Sequence, residues 1–234
     1  MEWNIDKKGN FPVLRFDLQE GESIKSQPGS MLAMNNHVEL RGKIDGGFFR
    51  SIFRKFSGET FFIQHAKAIS NKGWITLSTP TPGDILEIKI SKDKEIFAQK
   101  DSFLASTLNV DVSTKVQSIV KGIFSGEGLF IAKIFGEGTA FLETYGSIYE
   151  IEVKEGEEIV VDNSNIVAWE SSLEYDITRG GSGWVSSLTT GAGFVCKFKG
   201  TGKIWAQSCN LRNLAGSISP LLKNKYFNTP SRRK

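Results

Sequence analysis

One pattern recurs three times in this chain and limits what it can fold into. Phe124-Ser125-Gly126-Glu127-Gly128 is preceded by Phe56-Ser57-Gly58-Glu59 and followed by Thr190-Gly191-Ala192-Gly193, the Ser/Thr positions lying 68 and then 65 residues apart. An apolar run follows each copy: Phe61-Phe62-Ile63, Leu129-Phe130-Ile131 and Phe194-Val195-Cys196. Behind each run comes a second strand-like stretch, beginning at Gly73-Trp74, Gly138-Thr139 and Gly202-Lys203. Glycine serves the turn, and large sheet-forming residues follow it at once. Self-similarity at a fixed period predicts repeated units that share a core.

A second element recurs with the first. Ser30-Met31-Leu32-Ala33-Met34 matches Ser102-Phe103-Leu104-Ala105-Ser106 and Asn165-Ile166-Val167-Ala168-Trp169, with the alanines 72 and 63 residues apart. Beyond each lies an alternating stretch: Val38/Leu40, Val110/Val112 and Leu173/Tyr175/Ile177, with Glu39, Asp111, Glu174 and Asp176 between them. Such a strand buries one face and wets the other. Between this stretch and the glycine turn, Phe49, Ile52, Phe53 and Phe56 fall at helical spacing, as do Val116, Ile119, Val120 and Ile123. In the third copy only Trp184, Val185 and Leu188 remain.

Each unit therefore reads as strand, strand, short helix, glycine turn, strand, strand. The expected boundaries are 1–81, 82–153 and 154–216, with a basic tail at 217–234 that is loose from Ser219 on. A unit this small cannot bury both faces of its own sheet. The expected fold is all-β: three similar sheet-rich repeats in a pseudo-threefold barrel or prism, with short helices between strands.

Charge is unevenly spread. From Leu211 to Lys234 there are six basic residues and no acid, so removing those six from the net charge of +3 leaves −3 for residues 1–210. A mildly acidic body argues against a nucleic-acid-binding face there. Cys196 and Cys209 are the two cysteines, without metal-ligand spacing around them, which suits a reducing compartment. Neither a signal peptide, a transit peptide nor an 18-residue apolar run is visible, and the expected location is cytoplasmic.

Several runs resemble the "altered inheritance of mitochondria" family: Pro28 to Met34, Gly58 to Phe62, Pro82 to Ile85, Phe124 to Phe130, and Gln207 to Gly216 with Leu211-Arg212-Asn213-Leu214-Ala215-Gly216. The resemblance spans nearly the whole chain up to Gly216. It implies an all-β fold of three domains, each similar to a subunit of the trp RNA-binding attenuation protein (TRAP). It brings no established activity, substrate, cofactor or catalytic residue to carry over. Eukaryotic members are implicated in mitochondrial inner-membrane organisation, which implies a scaffold role. The third turn departs from the pattern, because Ala192 stands where the other copies have Glu.

Two sets of residues stand as site candidates. The first is the turn motif itself: Ser57, Gly58, Glu59, Ser125, Gly126, Glu127, Gly128, Thr190, Gly191 and Gly193. Glu59 and Glu127 would form an acid/base or cation-binding pair if an axis brought them together. The plainer alternative is that each carboxylate accepts backbone N–H bonds within its turn. The second set is Phe48, Phe49, Arg50, Phe53, Arg54 and Lys55, a short helical stretch with an aromatic face and three cations. It would suit a membrane surface or a protein partner, and equally the capping of its own core. His37 and His65 are the two histidines, too few and too far apart for a metal site or a catalytic triad. No catalytic or metal residue, and no cofactor, is expected.

The functional expectation is thus a non-enzymatic binding or scaffold protein, peripheral to a membrane. A protein partner or a homo-oligomer fits it as well. RNA binding, by likeness of fold, and a small-molecule binder or enzyme using a cleft between repeats are the alternatives.

Overall fold

Alternation of apolar and polar residues decides where strands form. The computed structural model describes residues 1–7, 11–43, 63–115, 131–179 and 194–223. The first third of the chain holds β1 (Glu2–Asp6), β2 (Val13–Leu18), β3 (Ser23–Ser26), β4 (Met31–Met34), β5 (Val38–Lys43), β6 (Ile63–Ala68) and β7 (Gly73–Ser78). Next come β8 (Ile85–Ile90), β9 (Ile96–Gln99), β10 (Phe103–Thr107), β11 (Val110–Lys115), β12 (Ile131–Gly136) and β13 (Gly138–Glu143). The last third holds β14 (Ile148–Val153), β15 (Glu158–Asp162), β16 (Ile166–Glu170), β17 (Glu174–Arg179), β18 (Phe194–Lys199) and β19 (Gly202–Gln207). Helix α1 (Leu211–Lys223) follows.

The strands assemble into four sheets. Their orders are β1-β2-β7-β4, β5-β6-β3-β10-β13-β8, β11-β12-β9-β16-β19-β14 and β15-β18-β17. One three-strand order recurs in β2-β7-β4, β8-β13-β10 and β14-β19-β16, and another in β5-β6-β3, β11-β12-β9 and β17-β18-β15. The two six-stranded sheets arise where a strand from one third of the chain joins a strand from the next. Ser26 pairs with Ala105 across β3 and β10, and Ala98 pairs with Ala168 across β9 and β16. Both joins are antiparallel.

Burial follows from this layering. Leu14, Phe16, Ile24 and Ile75 cluster with Leu104, Ala105 and Phe141 of the next third. A second cluster joins Ile96, Phe103 and Leu142 to Val167, Ala168 and Trp205, and a third collects Ile131, Trp169, Cys196, Phe198 and Ile204. Strands β10 and β16 contribute to clusters on both of their faces. Phe103 through Ser106 and Ile166 through Trp169 are therefore all buried. Fully burying one such aliphatic or aromatic side chain contributes about 1.5–3 kcal/mol.

The same irregularity marks three strands. The register shifts between Met31 and Ala33 in β4, between Phe103 and Ala105 in β10, and between Ile166 and Ala168 in β16. A bulge of this kind bends the strand and re-aims one side chain, here Leu32, Leu104 and Val167. Close approach fixes another position. A Cβ on Gly83 would lie 1.7 Å from the carbonyl oxygen of Thr144, while Asp84 and Thr144 exchange hydrogen bonds through Asp84 N, Thr144 Oγ1, Thr144 N and Asp84 O.

Two expectations need correction. No sheet closes into a barrel: among the described residues each of the four has two edge strands. The pairing that would carry closure, along the outer edges of β4 and β15, is not made among them. The chain from Ser219 is not a loose tail throughout, because α1 runs through Pro220 to Lys223. The short helices expected near 49–56, 116–123 and 184–188 lie outside the described residues.

Candidate interaction surface

The start of α1 is held by a chain of amide groups. Asn210 Oδ1 accepts from the backbone N–H of Asn213 at 2.8 Å, which caps the helix. The Nδ2 group of Asn210 donates to Asn165 Oδ1 at 3.1 Å, and Asn165 Nδ2 donates to the carbonyl of Gln207 at 2.7 Å. Gln207 in turn donates to Ser164 O and accepts from the N–H of Tyr145 at 2.9 Å. Asn210 is buried, so this cap anchors the helix to the ends of β16 and β19.

Beyond the cap the described side chains of the helix are exposed. Residues 211–220 are all exposed, including Leu211, Leu214 and Ile218. Those three fall at i, i+3 and i+7, which places them along one stripe. Arg212, Asn213, Ser217 and Ser219 occupy the remaining surface. The signal was present in the sequence as Asn210 followed by this spacing. Pro220 hid it, since proline removes a helical N–H and crowds the carbonyl four residues back. That carbonyl belongs to Gly216, which carries no side chain.

Several ionisable groups of the body are buried within the sheets. Glu143 ends β13 buried, with Oε2 meeting no hydrogen-bond partner among the described residues. Burial, then the nearby charge of Asp101, pushes its carboxyl up to about 8. The corresponding place in the last third is held by Gln207, whose neutral amide is bonded through both its nitrogen and its oxygen. Burial likewise pushes the Cys196 thiol up to about 12, with Asp176 and Asp162 adding to it, so it remains a protonated core residue. His37 Nδ1 meets Ser70 Oγ at 2.9 Å, and His65 lies in β6 opposite Lys25 and Arg41. The structure does not bring the two histidines together with other ligands: among the described residues no group of three or more His, Cys, Asp and Glu could hold a metal ion.

All the residues singled out from the sequence as a site lie outside the described residues. These are the turn positions Ser57, Gly58, Glu59, Ser125, Gly126, Glu127, Gly128, Thr190, Gly191 and Gly193, and the stretch Phe48, Phe49, Arg50, Phe53, Arg54 and Lys55. The exposed stripe of α1 and the outer edge of β4 were missed. Met31 and Leu32 of β4 are exposed apolar side chains on an edge strand, which sequence alone could not separate from their buried counterparts.

Comparison with known proteins places this architecture among relatives. A family profile described as "Mitochondrial biogenesis AIM24" matches residues 3–209. An uncharacterised protein of Streptococcus pyogenes serotype M6 is 33% identical over 233 residues, covering 95% of this chain and 91% of the relative. A crystal structure of a Streptococcus pyogenes protein is similar with a TM-score of 0.79 and 33% identity, covering 94% of this chain and 99% of the other.

Proposed function

The chain belongs to the mitochondrial-biogenesis AIM24 family, and from that premise we propose that it is a non-enzymatic scaffold protein that docks on an anionic lipid surface through α1. The observation that carries this reading is the exposed apolar stripe Leu211, Leu214 and Ile218 on a helix whose first turn is anchored to the body. Charge supports the choice of surface. The segment 211–234 has six basic residues and no acid, whereas residues 1–210 sum to −3. An amphipathic helix of this kind lies in the headgroup region, apolar side down, and adjacent cations add about 1 kcal/mol each near anionic lipid. No described helix is long and apolar enough to cross a membrane, and the two cysteines are not joined in a disulfide. We place the docking on the cytoplasmic side. The recurrent strand orders support reading β2–β7, β8–β13 and β14–β19 as three copies of one six-strand unit related by a pseudo-threefold repetition, which moves the boundary expected after 153 ahead of Ile148, with 217–234 as the docking arm.

Vesicle flotation tests the docking. The full chain should float with vesicles containing phosphatidylserine at low salt, stay behind with phosphatidylcholine alone, and be released by high salt. Leu214→Glu and Ile218→Glu should abolish flotation without lowering the melting temperature, because both side chains are exposed. Failure to float at low salt would remove the proposal, and so would flotation insensitive to both substitutions.

A further inference from the structure

The two places where a third of the chain joins the next define a rule, and the chain ends of that rule are left open. At the first join, Lys25 pairs with Ser106 and Ser26 with Ala105. At the second, Phe97 pairs with Trp169 and Ala98 with Ala168. The pairs Glu39–Lys67, Asp111–Phe135 and Glu174–Lys199 align the three thirds, and from them Lys25, Phe97 and Val160 occupy one structural position. The bulges align Ala33, Ala105 and Ala168 in the same way. Strand β15 is thus the counterpart of β3 and β9, and β4 the counterpart of β10 and β16. Among the described residues neither β15 nor β4 has a neighbour on the edge where its counterparts are joined.

Exposure records the missing neighbour on both strands. Val160 is 53% exposed, where Lys25 is 5% and Phe97 packs beside Trp169. Leu32 is 57% exposed, where Leu104 is 0% and Val167 is 1%. Leu104 and Val167 are covered by the core of the preceding third, and among the described residues Leu32 has no such cover. An apolar edge with unpaired backbone groups is a template for another strand.

We propose that two copies of this chain join head to tail, β15 of one pairing antiparallel with β4 of the next. The rule fixes the register: Val161 opposite Ala33, Val160 opposite Met34, Ile159 opposite Asn35. Each join leaves one β15 and one β4 free, so the contact is heterologous. Repeated, it gives a ring where the rotation closes and a fibre where it does not. The inference stands apart from lipid docking, since α1 takes no part in it.

Mixed cysteine cross-linking tests the join. Met34→Cys and Val160→Cys are made as two separate proteins, each with Cys209→Ser. Opposed residues of an antiparallel pair have Cα atoms about 4.5–5.5 Å apart, within disulfide range. Mild oxidation of the mixture should give a dimer-sized band that neither protein gives alone. The double variant on one chain should give a ladder. A compact monomer from the double variant, showing that the chain closes on itself, would overturn the proposal. So would the absence of any product from the mixture. Sedimentation of the unsubstituted chain gives a check free of folding defects. Its mean mass should rise with concentration, and Val160→Lys should hold it at the monomer; a concentration-independent monomer would contradict the join.

Discussion

Strands β4 and β10 begin from nearly the same design and end in different environments. Ser30-Met31-Leu32-Ala33-Met34 and Ser102-Phe103-Leu104-Ala105-Ser106 share a bulge at the leucine, a partner strand from their own third and an alanine after the bulge. Even the serine hydroxyls agree, Ser30 Oγ donating to Gln27 O and Ser102 Oγ to Gln99 O, both at 2.7 Å. Among the described residues only β10 of the two gains a second neighbour, β3, and with it burial on both faces. Local sequence therefore sets the shape of the strand, while its stability depends on whether another third of the chain arrives beside it.

Substitutions should separate the two strands most sharply at the leucines. Leu104→Ala removes a fully buried side chain between two layers and should cost about 3–4 kcal/mol in chemical denaturation. Leu32→Ala in dilute solution should cost under about 1 kcal/mol. Equal losses would mean that Leu32 is covered after all.

Glu143 tests the strand beside β10 through pH. Its carboxyl is held up to about 8, above the ordinary value of 4.5. The folded state then binds the proton more tightly than the unfolded chain. That stability is fully present below about 4.5 and is lost as pH rises to about 8. Glu143→Gln copies Gln207 and should remove this loss, stabilising the protein at alkaline pH by on the order of 2–4 kcal/mol and much less at pH near 4.5. Denaturation curves at two pH values measure it; a gain independent of pH would show that packing, rather than charge, is responsible.

Smaller effects sharpen the same contrast. Lys25 sits buried at the first join, donating to Val110 O at 2.9 Å and to Asp111 Oδ1 at 2.6 Å. Lys25→Met should cost about 1–3 kcal/mol, since it leaves a buried carbonyl without that donor. Arg15→Ala, on the outer face of the first sheet, breaks a pair with Asp17 that is largely solvated. It also removes the guanidinium 4.7 Å from the centre of the Trp74 ring, and should change stability by under about 1 kcal/mol. If Arg15→Ala costs as much as Lys25→Met, the outer face is covered like a join.

Much of the sheet was legible in the sequence because alternation and turn glycines are local signals. Leu14, Phe16 and Leu18 announce β2, and the recurrent alanines fall where β4, β10 and β16 each shift register. Which strands cross from one third to the next was not legible, because Ser26 and Ala98 carry no mark of their distant partners Ala105 and Ala168. Helix α1 was obscured by Pro220, because proline removes a helical N–H and crowds the carbonyl four residues back, and so reads in sequence as a helix breaker. The raised pKa of Glu143 comes from burial in the folded protein and from Asp101, 42 positions away in the sequence, so it had no local trace.

Amide hydrogen exchange on the full chain across a dilution series compares β4 with β10 directly. At high dilution the amides of Met31–Met34 should exchange much faster than those of Phe103–Thr107, because only β10 is flanked on both sides. Raising the concentration should slow exchange in β4 and in β15 together while leaving β10 unchanged. If β4 is as protected as β10 at the highest dilution, the edge is already filled within one chain, and the account of an open join is wrong.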